Sequence, residues 1–380
     1  MVTTDTTITP IAPIDLASQY LRLKNDIDGR IAAVLSHGRF ILGPEVESFE
    51  REIAEFCGAR HAVGVSSGRD ALVIALWAHG IGAGDAVFVP SFTFAATAGA
   101  VVSAGASPVF VDVDPDGFLM APDDLVRAIE RTAEAGRLRP KAVMPVDLFG
   151  IPADYPAIGP IAEAHGLAVI ADAAQSVGGS LGGRAVGALA PITATSFFPT
   201  KPLGAYGDGG CLLTDDDSMA SLFRSIRVHG QEGDERQQRK GMTGRLDTMQ
   251  AAILQAKLAV FPDELDARER VARAYDAGFG DIVTAPHRPD GTRSAWAQYT
   301  IKSDRRDAIA AALAAAGVTA RVYYRYGAHL HEGFREYSDG PGSLPVTEGL
   351  AHRVLSLPMH PYLTDAEIDR VIAIVRQAAG

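Results

Sequence analysis

Only two cysteines, Cys57 and Cys211, occur among 380 residues, and neither sits in a metal-ligand spacing. That number is too small for a disulfide framework, so both are expected as buried, reduced thiols and no metal centre is expected. Positive charge is also scarce: 35 lysines and arginines against 46 acidic residues leave a net charge of −11. This excludes a nucleic-acid footprint or an anionic membrane surface as the main partner. Any anionic ligand must be held by local groups. No apolar run is long enough to span a bilayer, and the start, MVTTDTTITPIAPIDL, lacks the basic stretch and apolar core of a secretion signal. The expected compartment is the cytoplasm. Internal repeats and low-complexity tracts are absent apart from abundant Ala and Gly.

What is present is a globular chain, 47% hydrophobic and long enough for two domains. A helical pattern from about Leu16 to Leu35 is broken at His37-Gly38-Arg39, and a second helix is expected from Pro44. From about His61 to Leu213, short apolar runs (AVGV, AVFVP, SPVFVDV, AVMPVDL, LAVIAD, ATSFF, CLLT) alternate with Ala-rich helical stretches. That alternation predicts an α/β fold with a mainly parallel sheet covered by helices on both faces. One or two long helices are expected from Thr248 to Gly278. WAQYTIK, a helix around Arg306 to Ala316, VTARVYYR and a last helix from Asp365 read as a smaller α/β domain. The expected division is 1–260, with an N-terminal arm, and 261–380.

Two features carry chemistry. LAVIADAAQS puts Asp172 at the carboxyl end of an apolar strand, where ligands of open α/β sheets bind. An acid there is either a helix cap or a functional group. TSFFPTKPLGAYGDGG puts one lysine, Lys201, in a loop packed with Pro and Gly. Taken singly, that lysine reads as a surface charge and the glycines as a turn.

The motifs SSGRDAL, PSFTFAATAGAV, DAAQS and SFFPTKPLGAYGDGG occur in the order found in the DegT/DnrJ/EryC1/StrS family of sugar aminotransferases, which this chain resembles. The resemblance runs from IDLASQY through HGRFILGPEVESFE, RVHGQ and GRLDTMQAAILQAKL to LSLPMHPYL. Within the family, FFPTKPLGAYGDGG, RVHGQ, AQYT and SLPMHPYL look most like the branch that aminates UDP-2-acetamido-2-deoxy-3-oxo-glucuronate. It implies the pyridoxal-phosphate aminotransferase fold type I, pyridoxal 5'-phosphate as cofactor, and a homodimer with shared sites. Glutamate would be the amino donor and a nucleotide-linked keto sugar, such as a UDP-3-keto sugar or uronate, the acceptor. A cyclitol substrate or a dehydration on the same fold is the alternative, and retention of Lys201 disfavours dehydration. A catalytically silent regulator is a further alternative, disfavoured by the intact Asp172, Gln175, Ser196 and Lys201.

Carried onto this sequence, the resemblance makes Lys201 the lysine that holds the cofactor and moves the proton. Asp172 would face the pyridine nitrogen, Gln175 the phenolic oxygen, and Phe94 would stack on the ring or simply pack in the core. Ser67, Gly68, Arg69 and Ser196 would hold the phosphate at a helix start. Position 69 is usually threonine, and the family's Asn-Ser-Arg is here Thr243-Gly244-Arg245, so Thr243 would reach the phosphate of a partner subunit and Arg245 a substrate carboxylate, or else form a surface ion pair. Tyr323 and Tyr324 are sugar contacts or half-buried packing, and His229 touches substrate or satisfies a backbone group. Arg325-Tyr326-Gly327-Ala328 replaces the family's usual substrate-facing residues.

Overall fold

A computed structural model describes residues 9–233 and 236–380. Strands β1 (His61–Val65), β2 (Asp85–Pro90), β3 (Ser107–Val111), β4 (Arg139–Val143), β5 (Ala168–Asp172), β6 (Ile192–Ser196) and β7 (Gly210–Thr214) form one sheet. Its order is β1-β7-β6-β5-β4-β2-β3. The pairs β2–β3, β2–β4, β4–β5 and β5–β6 are parallel, while β7 runs antiparallel to both β6 and β1. Because β7 reverses twice, β1 points the same way as β6. The carboxyl ends of β1, β2, β5 and β6 therefore share one edge of the sheet, and the segments leaving them converge there.

The helices are α1 (Leu16–His37), α2 (Pro44–Cys57), α3 (Gly68–Ala78), α4 (Ala96–Ala104), α5 (Pro122–Ala135), α6 (Tyr155–Ala164), α7 (Asp217–Ile226), α8 (Thr248–Leu258), α9 (Phe261–Phe279), α10 (Arg306–Ala315), α11 (Pro345–Arg353) and α12 (Asp365–Ala379). On one face of the sheet, α3 and α4 bury Leu72, Ile74, Leu76 and Val101 against Val65, Val87 and Leu212. On the other, α2, α8 and the start of α9 bury Phe49, Ile53, Leu254 and Phe261 against Leu213 and Phe197. Each such side chain contributes about 1.5–3 kcal/mol, whereas an exposed pair such as Arg51–Glu47 contributes ~0.2–1 kcal/mol. The sheet-and-helix core, not surface charge, holds the fold.

Past Leu265, α9 changes partners: Val271, Tyr275 and Phe279 pack with Tyr299, Ile301, Leu313, Leu355 and Val371 in a separate cluster. This second core is built on β8 (Tyr299–Lys302) paired antiparallel with β9 (Val354–Leu357) and covered by α10 and α12. VTARVYYR does not form the expected strand. Isolated bridges join Val318 to Ile11 and Arg321 to Ser356, and the chain then leaves the sheet with Tyr323 and Tyr324 turned to a cavity. Their β-propensity finds no partner strand there. Among the described residues no helix is long and apolar enough to cross a membrane, and no cluster of three metal-ligating side chains occurs.

Close approach of α3 to the sheet depends on glycine at two positions. A Cβ on Gly210 would lie 2.5 Å from the Ser67 carbonyl oxygen and 2.6 Å from the Gly68 nitrogen, and one on Gly68 would lie 2.6 Å from Ser196 Cβ. The obstacles to Gly210 are backbone atoms that cannot swing aside. Gly210→Ala should therefore lower stability by about 1–3 kcal/mol through overpacking, read as a lower urea midpoint at unchanged slope. An unchanged midpoint would show that α3 can retreat from β7 without cost.

Candidate active site

The converging edge holds a cavity of about 320 Å³ lined by Ser67, Gly68, Arg69, Phe94, Thr97, Asp172, Gln175, Ser196, Lys201, Tyr323 and Tyr324, among others. Ten of the sequence-derived candidates thus meet in one place.

Asp172 closes β5. No helix begins after it, so it is not a helix cap; its carboxylate is buried and accepts hydrogen bonds from the Thr97 hydroxyl (2.7 Å) and the Ala174 N–H (3.2 Å). Burial pushes its pKa up, while those donors and the nearby Lys201 pull it down. Lys201 enters from the loop joining β6 to β7, where its own N–H donates to the Phe198 carbonyl (2.9 Å). Burial brings its amine down to about 8, against the attraction of Asp172. The same desolvation thus raises the acid and lowers the base. Behind Asp172, the buried Asp147 is pushed up to about 6 by burial, with Ser176, Ala153 and Tyr155 as its donors.

Gln175 lies on the turn after Asp172. Its Oε1 accepts from the Phe149 N–H (2.7 Å), which leaves the amide nitrogen to donate toward the Tyr324 hydroxyl (3.3 Å). Phe94 is 59% exposed and tilted toward Tyr324, with ring centroids 6.5 Å apart, so it is not core packing. It offers a free aromatic face to the cavity.

The third component is the start of α3. Ser67 caps the helix by accepting from the Asp70 N–H (3.1 Å), and the first-turn N–H groups of Gly68 and Arg69 have no carbonyl within the helix to donate to. Those free donors and the helix dipole favour an anion. The Arg69 guanidinium contributes elsewhere: it donates to the Gly99 carbonyl (3.2 Å) and the Ser103 hydroxyl (2.6 Å), tying α3 to α4. The anion subsite is built from amides and hydroxyls.

Three candidates stand apart. Thr243 and Arg245 line an adjoining groove of about 790 Å³ that shares Ser67 and Asp208 with the cavity. The Arg245 Nε is buried with no hydrogen-bond partner. His229 is exposed, lines neither space, and its Nε2 meets the Thr243 hydroxyl at 3.0 Å. Conversely, Thr97, Phe198 and Gln298 line the cavity and were not singled out from sequence. Thr97 sits in the first turn of α4, just after Phe94, and nothing in its spacing flags it. Gln298, in AQYT, has a buried Oε1 without a partner; its sequence neighbourhood reads only as a strand start.

A lysine with a depressed pKa beside a buried carboxylate, an aromatic lid and a helix start open to an anion define an enzyme working on carbonyl groups through a lysine amine, with a phosphorylated ligand. The family is settled by comparison: the chain belongs to the DegT/DnrJ/EryC1/StrS aminotransferase family, whose sequence profile matches residues 22–376. It is 43% identical over 95% of its length to the UDP-2-acetamido-2-deoxy-3-oxo-D-glucuronate aminotransferase of Pseudomonas aeruginosa, covering 98% of that protein. It is 40% identical over 97% of its length to the UDP-N-acetyl-3-dehydro-alpha-D-glucosamine 3-aminotransferase of Acidithiobacillus ferrooxidans, covering 98% of it. Among solved structures, a DegT/DnrJ/EryC1/StrS aminotransferase from Brucella abortus superposes with a TM-score of 0.95 at 49% identity, over 97% of this chain and all of that one.

Because only the neutral amine reacts with electrophiles, labelling of Lys201 in the cofactor-free chain should rise with pH through a midpoint near 8. At pH 7 roughly one amine in ten would be neutral, against fewer than about one in a thousand for an ordinary lysine. Peptide mass spectrometry after reductive methylation across pH 6–11 measures this. A midpoint near 10.5 would mean that the cavity does not desolvate the amine.

Proposed function

We propose that the chain is a cytoplasmic, pyridoxal 5'-phosphate-dependent aminotransferase that takes the amino group of glutamate and delivers it to the keto carbon of a nucleotide-linked sugar. A UDP-linked 3-keto sugar or its uronate is the acceptor to test first, because the two relatives named above carry such substrates in their names. Residues 1–260 would form the cofactor-binding portion, with its arm, and 261–380 the smaller domain.

The observation that carries this reading is the meeting of Lys201, Asp172 and the start of α3 in one cavity. The chemistry of the donor set fits the cofactor: an amine for its aldehyde, a buried carboxylate for its pyridinium, and free amides with the Ser67 and Ser196 hydroxyls for its phosphate. Bound there, pyridoxal phosphate supplies an electron sink for a carbanion. Lys201 would hold it and, once released, carry the proton to and from the substrate carbon. Asp172, kept an acceptor by Thr97 and Ala174, would hold the proton on the ring nitrogen. Gln175 would donate its second amide hydrogen toward the phenolic oxygen, and Phe94 would cover the ring.

Thr243 and Arg245 belong to the same reading only if a second subunit is present. They line the adjoining groove, and the unpartnered Arg245 Nε supports a role for this guanidinium toward an anionic group across a homodimer interface. Tyr323, Tyr324 and His229 would lie toward the sugar.

The test is a half-reaction. Purified chain loaded with pyridoxal phosphate should change its visible spectrum on adding glutamate, and a UDP-linked 3-keto sugar should restore it. Lys201→Ala should do neither. Asp172→Asn should retain the cofactor yet slow the glutamate step on the order of 10²-fold or more, since a preorganised charge is lost. A spectrum indifferent to glutamate but responsive to another amine would displace glutamate as donor. Restoration by a cyclitol ketone alone would displace the nucleotide sugar.

A further inference from the structure

A second lysine, more deeply buried than Lys201, lies beside this loop. Lys257, near the end of α8, is 1% exposed, and its ammonium donates to the Gly204 carbonyl at 2.6 Å. It also lies 3.8 Å from the centre of the Tyr206 ring. Gly204 and Tyr206 follow Lys201 by three and five residues, in the same loop between β6 and β7.

One turn-pair earlier on α8, Gln250 Oε1 accepts from the Tyr206 N–H at 2.9 Å. Seven residues separate Gln250 from Lys257, so both lie on the same face of the helix. The opposite end of the loop is closed by backbone bonds, Ala205 N–H to the Phe197 carbonyl (2.7 Å) and Phe197 N–H to the Gly209 carbonyl (2.8 Å). Leu203 and Ala205 sink into the core beneath α8. The segment carrying Lys201 is therefore clamped from outside the sheet, by two α8 side chains.

We propose that Lys257 is a positioning residue for Lys201: its bond to the Gly204 carbonyl fixes the loop from which the Lys201 amine enters the cavity. This rests on the reading of Lys201 as the reactive amine. A buried ammonium is costly unless it serves a partner, and the groups facing it are few. Burial brings Lys257 down to about 7, opposed by Glu264, itself engaged by Gln19 and Tyr362. A core position of this kind, filled by a hydrophobe, would cost nothing in desolvation. The bond to the loop is what the lysine provides in exchange.

The test is Lys257→Met, which keeps length and removes the donor, with Lys257→Arg as the conservative variant. Two readouts are taken on the full chain without cofactor: the pH midpoint of Lys201 labelling, and amide hydrogen exchange of residues 197–206. Lys257→Met should raise the Lys201 midpoint by about one unit as the loosened loop hydrates the amine, which lowers the neutral fraction at pH 7 about tenfold. It should also speed exchange at Ala205 about tenfold or more, and Lys257→Arg should return both to wild-type values. If Lys257→Met loses its folded circular dichroism, Lys257→Leu, which likewise has no donor, is read in its place with the same expectations. Unchanged midpoint and exchange overturn the proposal. A raised midpoint with unchanged exchange also overturns it, because that is the effect of removing a nearby charge and not of moving the loop. A wild-type midpoint near 10.5 instead defeats the reading of Lys201 on which the proposal stands.

Discussion

Desolvation of a lysine and a carboxylate at one sheet edge is the constraint on which the rest of the structure depends. Neither group is comfortable there alone: water would favour both charges, and burial drives the acid up and the amine down. The strand order makes this possible. With β7 reversed between β1 and β6, six carboxyl ends open on one side, so a strand-end acid, a loop lysine and a helix start meet without any long excursion of the chain. The cost of holding these groups is spread over the three large apolar clusters around the sheet.

The arrangement divides labour between charge and backbone. Asp172 and Lys201 face each other as titratable groups, while the anion subsite at α3 relies on amides and hydroxyls, because Arg69 spends its charge on α4. Backbone donors cannot titrate. The subsite therefore keeps its character at every pH at which the fold survives, and the pH response of the site is left to the lysine and the acid.

The fold was legible in chain geometry, and the site through its resemblance to the family. The alternation of apolar runs with Ala-rich stretches predicted the sheet and helices as found, with a break at Gly38 and a helix start at Pro44, whereas the strand-end acid left a cap or a functional group open and the loop lysine alone read as a surface charge. What failed was local propensity without a partner: VTARVYYR has the composition of a strand, but only the isolated bridges of Val318 to Ile11 and Arg321 to Ser356 form along it. Thr97 and Gln298 escaped notice because a short hydroxyl or an amide inside an ordinary-looking element carries no periodic signature. Their importance exists only once the chain has folded back on them. Thr243 and Arg245 lie outside the cavity of a single chain, and the resemblance had assigned them to a partner subunit's site.

The contact between Gly68 and Ser196 joins residues far apart along the chain, and the loop carrying Lys201 rests on α8, which ends at Leu258. During synthesis, a nascent chain shorter than that would carry Asp172 and Lys201 without the α8 side chains that hold the loop from outside. The loop is therefore fixed late, after every strand of the large sheet has left the ribosome.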